Sequence, residues 1–472
     1  MKLQTRYTDI SELLAIEDMP SAVAEPQLLL FNDKLADNFA INHDSEFLAK
    51  LLSGSTIDND VAPVALGYSG HQFGHFSPRL GDGRAHLLGA IADKDGTLWD
   101  LQLKGAGATV FSRGGDGRCA IGPAVREYIM SEALYALGIA TTRCLAVVTT
   151  GETVYRQPPR PGAVVTRLAK SHIRVGSFQY LATQGDIEGL EKLVDYAINC
   201  HFPDISSTGE QRYIEFLTAV LDKQIELVIS WMRIGFIHGV MNTDNTLISG
   251  ETIDYGPCAM MNQFDLDTVF SSIDHQGRYA FGNQPNIANW NIARLAESLI
   301  PLFADQESAV EKLSPVVNGF AAKFNDAFNT MWQQKLGLAG QQEGDHALVS
   351  ELLNLMKQHQ LDYTNTFNAL TESLVRDFAI DPNLKEWVSK WKLRTSPESY
   401  STMRAVNPAV IPRNHTIEMI LAEYEASGES SLKDAFLEAF NDPYVYDERH
   451  FEWLQAPKDY DKNYQTFCSD LE

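Results

Sequence analysis

Cysteine is scarce in this chain: five in 472 residues, at Cys119, Cys144, Cys200, Cys258 and Cys468. They are scattered, odd in number and form no CxxC, which argues against a structural zinc site or a disulfide framework and fits a reducing compartment. No apolar run is long enough to span a membrane, and the opening stretch MKLQTRYTDISELLAIEDMP has no apolar core and carries acids early. A membrane span, a signal peptide and a transit peptide are therefore not expected, and a soluble cytoplasmic protein is. Basic residues are also in short supply, 38 Lys and Arg against 62 Asp and Glu, a formal charge of −24. That balance excludes a broad nucleic-acid-coating surface and bulk-charge binding to anionic membranes. Internal repeats and low-complexity tracts are missing, which excludes solenoids and disordered arrays. GxxxxGK[ST], GxGxxG between strand and helix, HExxH and GxSxG are absent too, so P-loop, Rossmann, zincin and serine-hydrolase readings fail.

What is present is an ordinary globular composition, 44% hydrophobic and 10% aromatic, on a chain long enough for one large domain or two to three ordinary ones. The charge is unevenly spread. From Arg79 to Arg174 thirteen basic residues face eight acidic ones, a net of +5, and the remainder carries −29. A locally basic segment in an acidic chain is what a phosphate or other polyanion site needs, although clustering on solvated faces produces the same count.

Residues 1 to about 60 read as an irregular or helical lead-in. From Val61 to about Tyr180 the chain is rich in glycine and short β-type runs: His86–Ile91 and Leu98–Leu103 flank a turn, and Leu145–Thr149, Thr153–Arg156 and Val164–Leu168 follow. Between them Pro123–Leu137 reads as a helix, with proline near its start and Gly138 at its end. Asp186–Cys200 and Gln211–Ile234 have helical periodicity, residues 235–256 form a β-and-loop interlude, and from Ala288 the pattern is mostly helical, with loops near 340, 381 and 395–415. The expected class is α+β, a small β-rich lobe followed by a large helical one, with a ligand site between them.

Chemistry concentrates in four places. Arg79-Leu-Gly81-Asp-Gly83-Arg84 leads into a strand; glycines let backbone approach phosphates and Arg84 can bind one bidentately, while a plain hairpin turn is the other reading. Lys104 ends a strand and Glu127 lies in the next helix, the pairing that positions phosphates in kinases; Arg113, Asp116-Gly117-Arg118 and Arg126 keep it company. Arg167 and Arg174, seven apart, can reach one anion or sit scattered on the surface. The strongest stretch is Gly235-Phe-Ile-His238-Gly239-Val-Met-Asn242-Thr-Asp244-Asn245-Thr-Leu-Ile248, then Asp254-Tyr255-Gly256. Asn245 and Asp254 stand nine apart across an expected hairpin and offer hard oxygen ligands for a Mg²⁺ that holds nucleotide phosphates, leaving Asp244 free as a base. Turn capping is the alternative. His71 and His75 are four apart, but Gly70 and Gly74 argue against a helix there, so loop hydrogen bonding is expected rather than metal binding.

These residues, in the stretches GYSGHQFGHFSPRLGDGRAHLLGAI (67–91), LQLKGAGATVFSRGGDGR (101–118), VREYIMSEAL (125–134), HGVMNTDNTLI (238–248), DYGPCAMM (254–261) and VNPAVIPRNH (406–415), resemble the selenoprotein O family of protein adenylyltransferases over most of the chain. The resemblance implies a bilobal protein-kinase-like fold: residues 1–60 an N-terminal extension, 61–183 the N-lobe, 184–300 the C-lobe with its catalytic and metal loops, and 301–472 a helical extension. It implies that Gly81, Gly83, Arg84, Lys104, Asp116, Gly117, Arg167, Arg174 and Asp254 bind ATP, and that Glu127 supports Lys104. In the same way Asn245 and Asp254 take Mg²⁺, or Mn²⁺, and Asp244 accepts the proton. Val240 follows His238-Gly239 where an ordinary kinase carries its base Asp, so the family resembles a dead kinase; its ATP is thought to bind inverted, with the α-phosphate toward the acceptor. AMP would pass to Ser, Thr or Tyr of target proteins, redox-related ones among them given the family's link to redox homeostasis. Cys468 resembles the family's C-terminal redox position. Cys258 is a candidate partner for it, and two free thiols are the alternative. Phosphotransfer through the kinase-like loop and a nucleotide-binding scaffold without activity are the competing functional readings.

Overall fold

The computed structural model describes residues 2–41, 44–58 and 60–467. Its N-terminal part is organised by one antiparallel eight-stranded sheet. The strands are β1 (Ala15–Glu17), β2 (Gln27–Phe31), β3 (Val64–Leu66), β6 (Ala85–Ala92), β7 (Leu98–Lys104), β8 (Cys119–Ala120), β9 (Arg143–Val154) and β10 (Arg160–Ala169). A separate hairpin, β4 (Gly70–Gln72) and β5 (His75–Ser77), interrupts the run after β3. The main path runs β1-β3-β6-β7-β10-β9-β2, with β8 on β10.

Strand alternation sends neighbouring side chains to opposite faces. On one face Val147 and Val165 join Val125, Ile129 and Leu134 of helix α3 (Ile121–Ala136). On the other, Leu101, Leu103, Val148 and Val164 pack on Leu35, Leu48 and Leu52, which belong to helices α1 (Asp33–Asn38) and α2 (Ser45–Leu52). Both faces are thereby taken out of water, so the polar residues left inside the sheet, such as Gln102, must find partners.

The C-terminal part is almost entirely helical. Helices α4 (Val175–Gln184), α5 (Ile187–His201) and α6 (Glu210–Ile234) lead to a two-stranded ribbon of β11 (Phe236–Ile237) and β12 (Ala259–Met260). Then follow α7 (Gln284–Leu299), α8 (Gln306–Leu336), α9 (Asp345–Gln358), α10 (Tyr363–Glu372), α11 (Lys385–Trp391), α12 (Ser399–Val406) and α13 (Asn414–Ser427). Among the described residues no helix is long and apolar enough to cross a membrane.

The mixed α+β class with a β-rich first part agrees with expectation. Five local readings are corrected. The lead-in before residue 60 supplies two sheet strands, β1 and β2, because short apolar runs such as Leu28-Leu-Leu30-Phe31 can complete a sheet edge only through partners distant in sequence. The runs expected at 145–149 and 153–156 form one strand, β9, since its partner β10 continues alongside. Residues 175–184, within the β-rich stretch, are helical, and so are Ser399–Val406, inside the expected 395–415 loop. Finally, no hairpin joins Asn245 to Asp254. Leu247 bridges to Arg174 and Thr252 to Thr141, so the interlude is clamped by other segments instead of by itself.

Candidate active site

A cavity of about 770 Å³ opens between the sheet and the 240–257 segment, within the range of drug- and cofactor-sized sites. Gly81, Gly83, Arg84, Lys104, Asp116, Gly117, Arg167, Arg174, Asp244, Asn245 and Asp254 all line it. Glu127 lies just behind.

Lys104 ends β7, where β6 and β10 flank it in register at Ala85 and Val165. Its ammonium reaches Glu127 Oε2 of α3 at 2.8 Å and Asp254 Oδ1 at 3.0 Å. Arg167, on β10, donates from Nε to Glu127 Oε1 at 2.8 Å and from its Nη1 to Gln102 Oε1 at 3.2 Å. Two cations and two carboxylates thus share charge at the cavity floor. Glu127, 5% exposed, is driven upward by burial, yet Arg167 and Lys104 outweigh this and hold it below the usual carboxylate range. The same contest at Asp254, between burial on one side and Lys104, Arg167 and Arg84 on the other, ends far below that range. Asp254 is therefore an anion, its side chain 36% open to the cavity, on a backbone held at φ +67°. That left-handed conformation is uncommon for a residue with a Cβ.

The Asp244 side is built differently. Asp244 and Asn245 sit in a short 3₁₀ turn, Thr243–Asn245. Arg174, the residue preceding α4, donates to the Asp244 carbonyl at 3.0 Å, and its guanidinium lies 4.1 Å from the centre of the Tyr68 ring. Val175 N–H donates to Thr246 O. Burial pushes the Asp244 carboxyl up to about 6. Its Oδ2 accepts a long hydrogen bond from Gln72 at 3.4 Å, while its Oδ1 is buried without a hydrogen-bond partner. A Cβ on Gly70 would fall 2.3 Å from that Oδ1, so only glycine lets the hairpin lie so close. Asn245 donates to Val240 O at 3.2 Å. His238, kept neutral by burial, pairs through Nε2 with Ile253 O at 2.8 Å and so couples the two halves of the loop.

Of the glycine-rich stretch, Gly81 stands at φ +73°, where a Cβ would enter the Phe111 ring. Asp116 is not free: Arg156 holds it bidentately at 2.8 and 3.0 Å, and burial of both partners is only partial. Arg156 and Asp82 line the cavity as well, and neither is among the site residues expected from the sequence. So does Gln72, from the β4–β5 hairpin, in which His71 and His75 are expected to make loop hydrogen bonds. His71 fits that reading, pairing with Gln179 at 2.8 Å.

Among the described residues no group of three or more His, Cys, Asp or Glu is arranged to hold a metal. A carboxylate kept ionised at Asp254, with an amide at Asn245, still suits a hard cation that takes its other ligands from substrate phosphates and water. Cys258 is buried, its thiol donating to Tyr255 O at 3.2 Å and pushed up to about 12 by burial. Cys468 lies outside the described residues. The tail reaches this neighbourhood at Thr466, which donates to Pro257 O at 2.8 Å.

Fold and cavity together define an α+β protein whose cleft sets paired cations and carboxylates to receive a polyanionic ligand. The family model for Protein adenylyltransferase SelO matches residues 2–441. The protein nucleotidyltransferase YdiU of Pseudoalteromonas translucida is 64% identical over 469 residues, 99% of this chain and 100% of the relative. The protein of that name from Geobacillus kaustophilus is 48% identical over 99% of both chains, and the one from Bacillus thuringiensis 45% over 99% and 98%. The chain belongs to the SelO family of protein adenylyltransferases.

Proposed function

We propose that this protein transfers AMP from ATP to Ser, Thr or Tyr hydroxyls of target proteins and releases pyrophosphate. The observation that carries the reading is the meeting of Lys104 with both Glu127 and Asp254 in one cavity with Asp244 and Asn245. A protein-kinase-like division accompanies it: 61–183 as N-lobe, 184–300 as C-lobe and 301–472 as helical extension, with 1–60 an N-terminal extension that adds strands to the sheet.

In this scheme the Gly81–Arg84 loop, Asp116 and Gly117 embrace the nucleotide. Lys104, Arg84, Arg167 and Arg174 bind and orient its phosphates, and Glu127 fixes Lys104. Asn245 and Asp254 would hold Mg²⁺ or Mn²⁺, which neutralises charge on the phosphate oxygens when bound. The acceptor oxygen forms a bond to the α-phosphorus as the bond to the β-phosphate oxygen breaks, and pyrophosphate departs. Asp244 takes the hydroxyl proton on its carboxylate; a carboxyl near 6 is ionised at neutral pH and still basic enough to help.

Parallel incubation with α-labelled and γ-labelled ATP tests this. Label is expected on protein from the α position only, and Asp254→Ala should lower it at least about 100-fold, the scale on which one preorganised electrostatic partner acts. Labelling from the γ position alone would establish phosphotransfer instead. ATP binding without either label would leave a scaffold.

A further inference from the structure

Gln72 of the β4–β5 hairpin lines the cavity and donates to Asp244, while the rest of that hairpin takes no part in the mechanism. Its tip is exposed: Phe76 is 41% accessible, and Gly74 and His75 are open to solvent. Its stem is tied to the catalytic loop at every step. His71 N–H donates to Thr243 Oγ1 at 2.7 Å, Phe73 N–H to Asn242 Oδ1 at 3.1 Å, and Tyr279 O–H to that same oxygen at 2.6 Å. The hairpin is thus a shelf held rigidly beside Asp244.

On the shelf lies a cation of unusual setting. The Arg278 guanidinium stacks 4.8 Å from the centre of Trp290, whose other neighbour at 4.8 Å is Arg294. A Cβ on Gly74 would be 3.5 Å from the Arg278 guanidinium, so the hairpin tip covers it. His71 touches the cluster edge-on, 5.0 Å from Trp290 and 4.8 Å from Phe76. Burial and the two arginines hold that histidine below its usual range, so it is neutral. The nearby carboxylates are spent elsewhere. Asp274 accepts from the backbone N–H groups of Arg278 and Tyr279, and Glu297 pairs with Arg294 at 2.6 Å. Among the described residues none forms an ion pair with Arg278, and its Nε is buried without a hydrogen-bond partner. Arg278 does not line the nucleotide cavity.

A guanidinium stacked on an aromatic face keeps its edge available for a carboxylate, which it can grip through two N–H groups. We propose that the β4–β5 tip and the Arg278–Trp290 stack receive an acidic side chain of the acceptor polypeptide, a few residues from the hydroxyl to be modified. Gln72, at Asp244, and Gly74, at Arg278, stand two residues apart at the tight turn of the β4–β5 hairpin, which keeps the two contacts close together. Charge at the stack itself favours an acidic occupant over a basic one, because Arg278 and Arg294 flank Trp290 and Glu297 pairs with Arg294. The chain carries −24 overall, so an acidic polypeptide is repelled except where such a cation stands, and that converts charge into orientation. The proposal rests on the adenylylation reading, because it takes the Asp244 side as the acceptor side.

Twelve-residue fluorescent peptides with one central serine, flanked by glutamate, alanine or lysine, test it on the full chain. Binding is read by anisotropy with Mg²⁺ and a non-hydrolysable ATP analogue, and AMP transfer with α-labelled ATP. The glutamate peptide should bind at least tenfold more tightly than the alanine one. Arg278→Ala should erase that margin, and Arg278→Glu should move it to the lysine peptide, a gain that misfolding cannot imitate. Arg278→Lys should keep part of it, and affinity for the ATP analogue should be unchanged in all three. A wild-type protein indifferent to peptide charge, or a glutamate preference that survives Arg278→Ala, overturns the proposal. Arg278-dependent binding with no AMP on any peptide refutes the adenylylation reading and leaves the surface standing. Transfer that ignores peptide charge refutes the surface and leaves the reaction standing. Neither binding nor transfer refutes both.

Discussion

At the scale of residues, the cavity floor is a closed electrostatic circuit: Arg167 and Lys104 on Glu127, and Lys104 on Asp254. Two positive and two negative charges balance, so none of the buried members pays its full desolvation cost alone. Glu127 is the shared node. Replacing it by glutamine keeps its shape but leaves Lys104 and Arg167 with one carboxylate between them. Breaking a buried ion pair by neutralising one partner costs about 3–5 kcal/mol. Glu127→Gln is expected near the lower end, since Asp254 still compensates Lys104, and the denaturant midpoint will read the loss. A stability change within about 0.5 kcal/mol, the range of ordinary surface substitutions, would show that the circuit is not cooperative. The Lys104–Glu127 pair was legible in sequence because each residue sits in an element with a clear period, a strand and a helix, whose mutual placement is common to many folds. Gln72, Arg156 and the unpartnered oxygen of Asp244 were not. Their roles arise where distant segments meet, and neither periodicity nor local spacing encodes that meeting.

At the scale of elements, the two-residue strand β12 illustrates how the extension supports the site. β12 pairs with β11 on one edge. On its other edge stands a side chain: Asn414, at the start of α13, accepts from Met260 N–H and donates to Met260 O, both at 2.8 Å. One amide thus replaces a neighbouring strand, and it does so six residues after Asp254. Arg126 of α3 works nearby, donating to the Tyr255 and Cys258 carbonyls and pairing with Glu418 of α13 at 3.0 Å. Asn414→Ala strands a buried donor and acceptor together, a cost of about 1–3 kcal/mol for each unsatisfied group. The amide of Met260 should then exchange its hydrogen faster relative to α8, and AMP transfer should fall. Unchanged protection of Met260 would mean that β11 alone holds the strand. The helices themselves were readable from their period, α6 to within one residue at its start. The reason for the stretch 406–415 was not, because a capping side chain 154 residues from its partner leaves no local pattern.

At the scale of the whole molecule, two electrostatic fields act on a nucleotide and have different ranges. The excess of −24 is spread over the entire chain and repels ATP from afar; the +5 of the 79–174 segment is concentrated where Arg84, Lys104, Arg167 and Arg174 line the cavity. Salt distinguishes them, because the screening length is about 30 Å at 0.01 M and about 8 Å at 0.15 M. Raising salt across that interval removes the long-range repulsion first, while contacts of about 3 Å inside a partly desolvated cleft are screened far less. The two changes oppose each other. The dissociation constant for ATP with Mg²⁺ should therefore stay within about threefold between 0.01 and 0.15 M KCl and rise only toward 1 M, where the screening length of about 3 Å reaches the contacts themselves. A protein that meets phosphates with a uniformly basic face instead loses affinity steadily from the lowest salt. Calorimetric titration at four salt concentrations separates the two behaviours, and a steep monotonic loss beginning at 0.01 M would show that the acidic bulk of the molecule has no influence on its nucleotide. Lys104→Ala sharpens the comparison: with one cavity cation gone the short-range attraction weakens and the long-range repulsion remains, so this variant should bind ATP more tightly at 0.15 M than at 0.01 M.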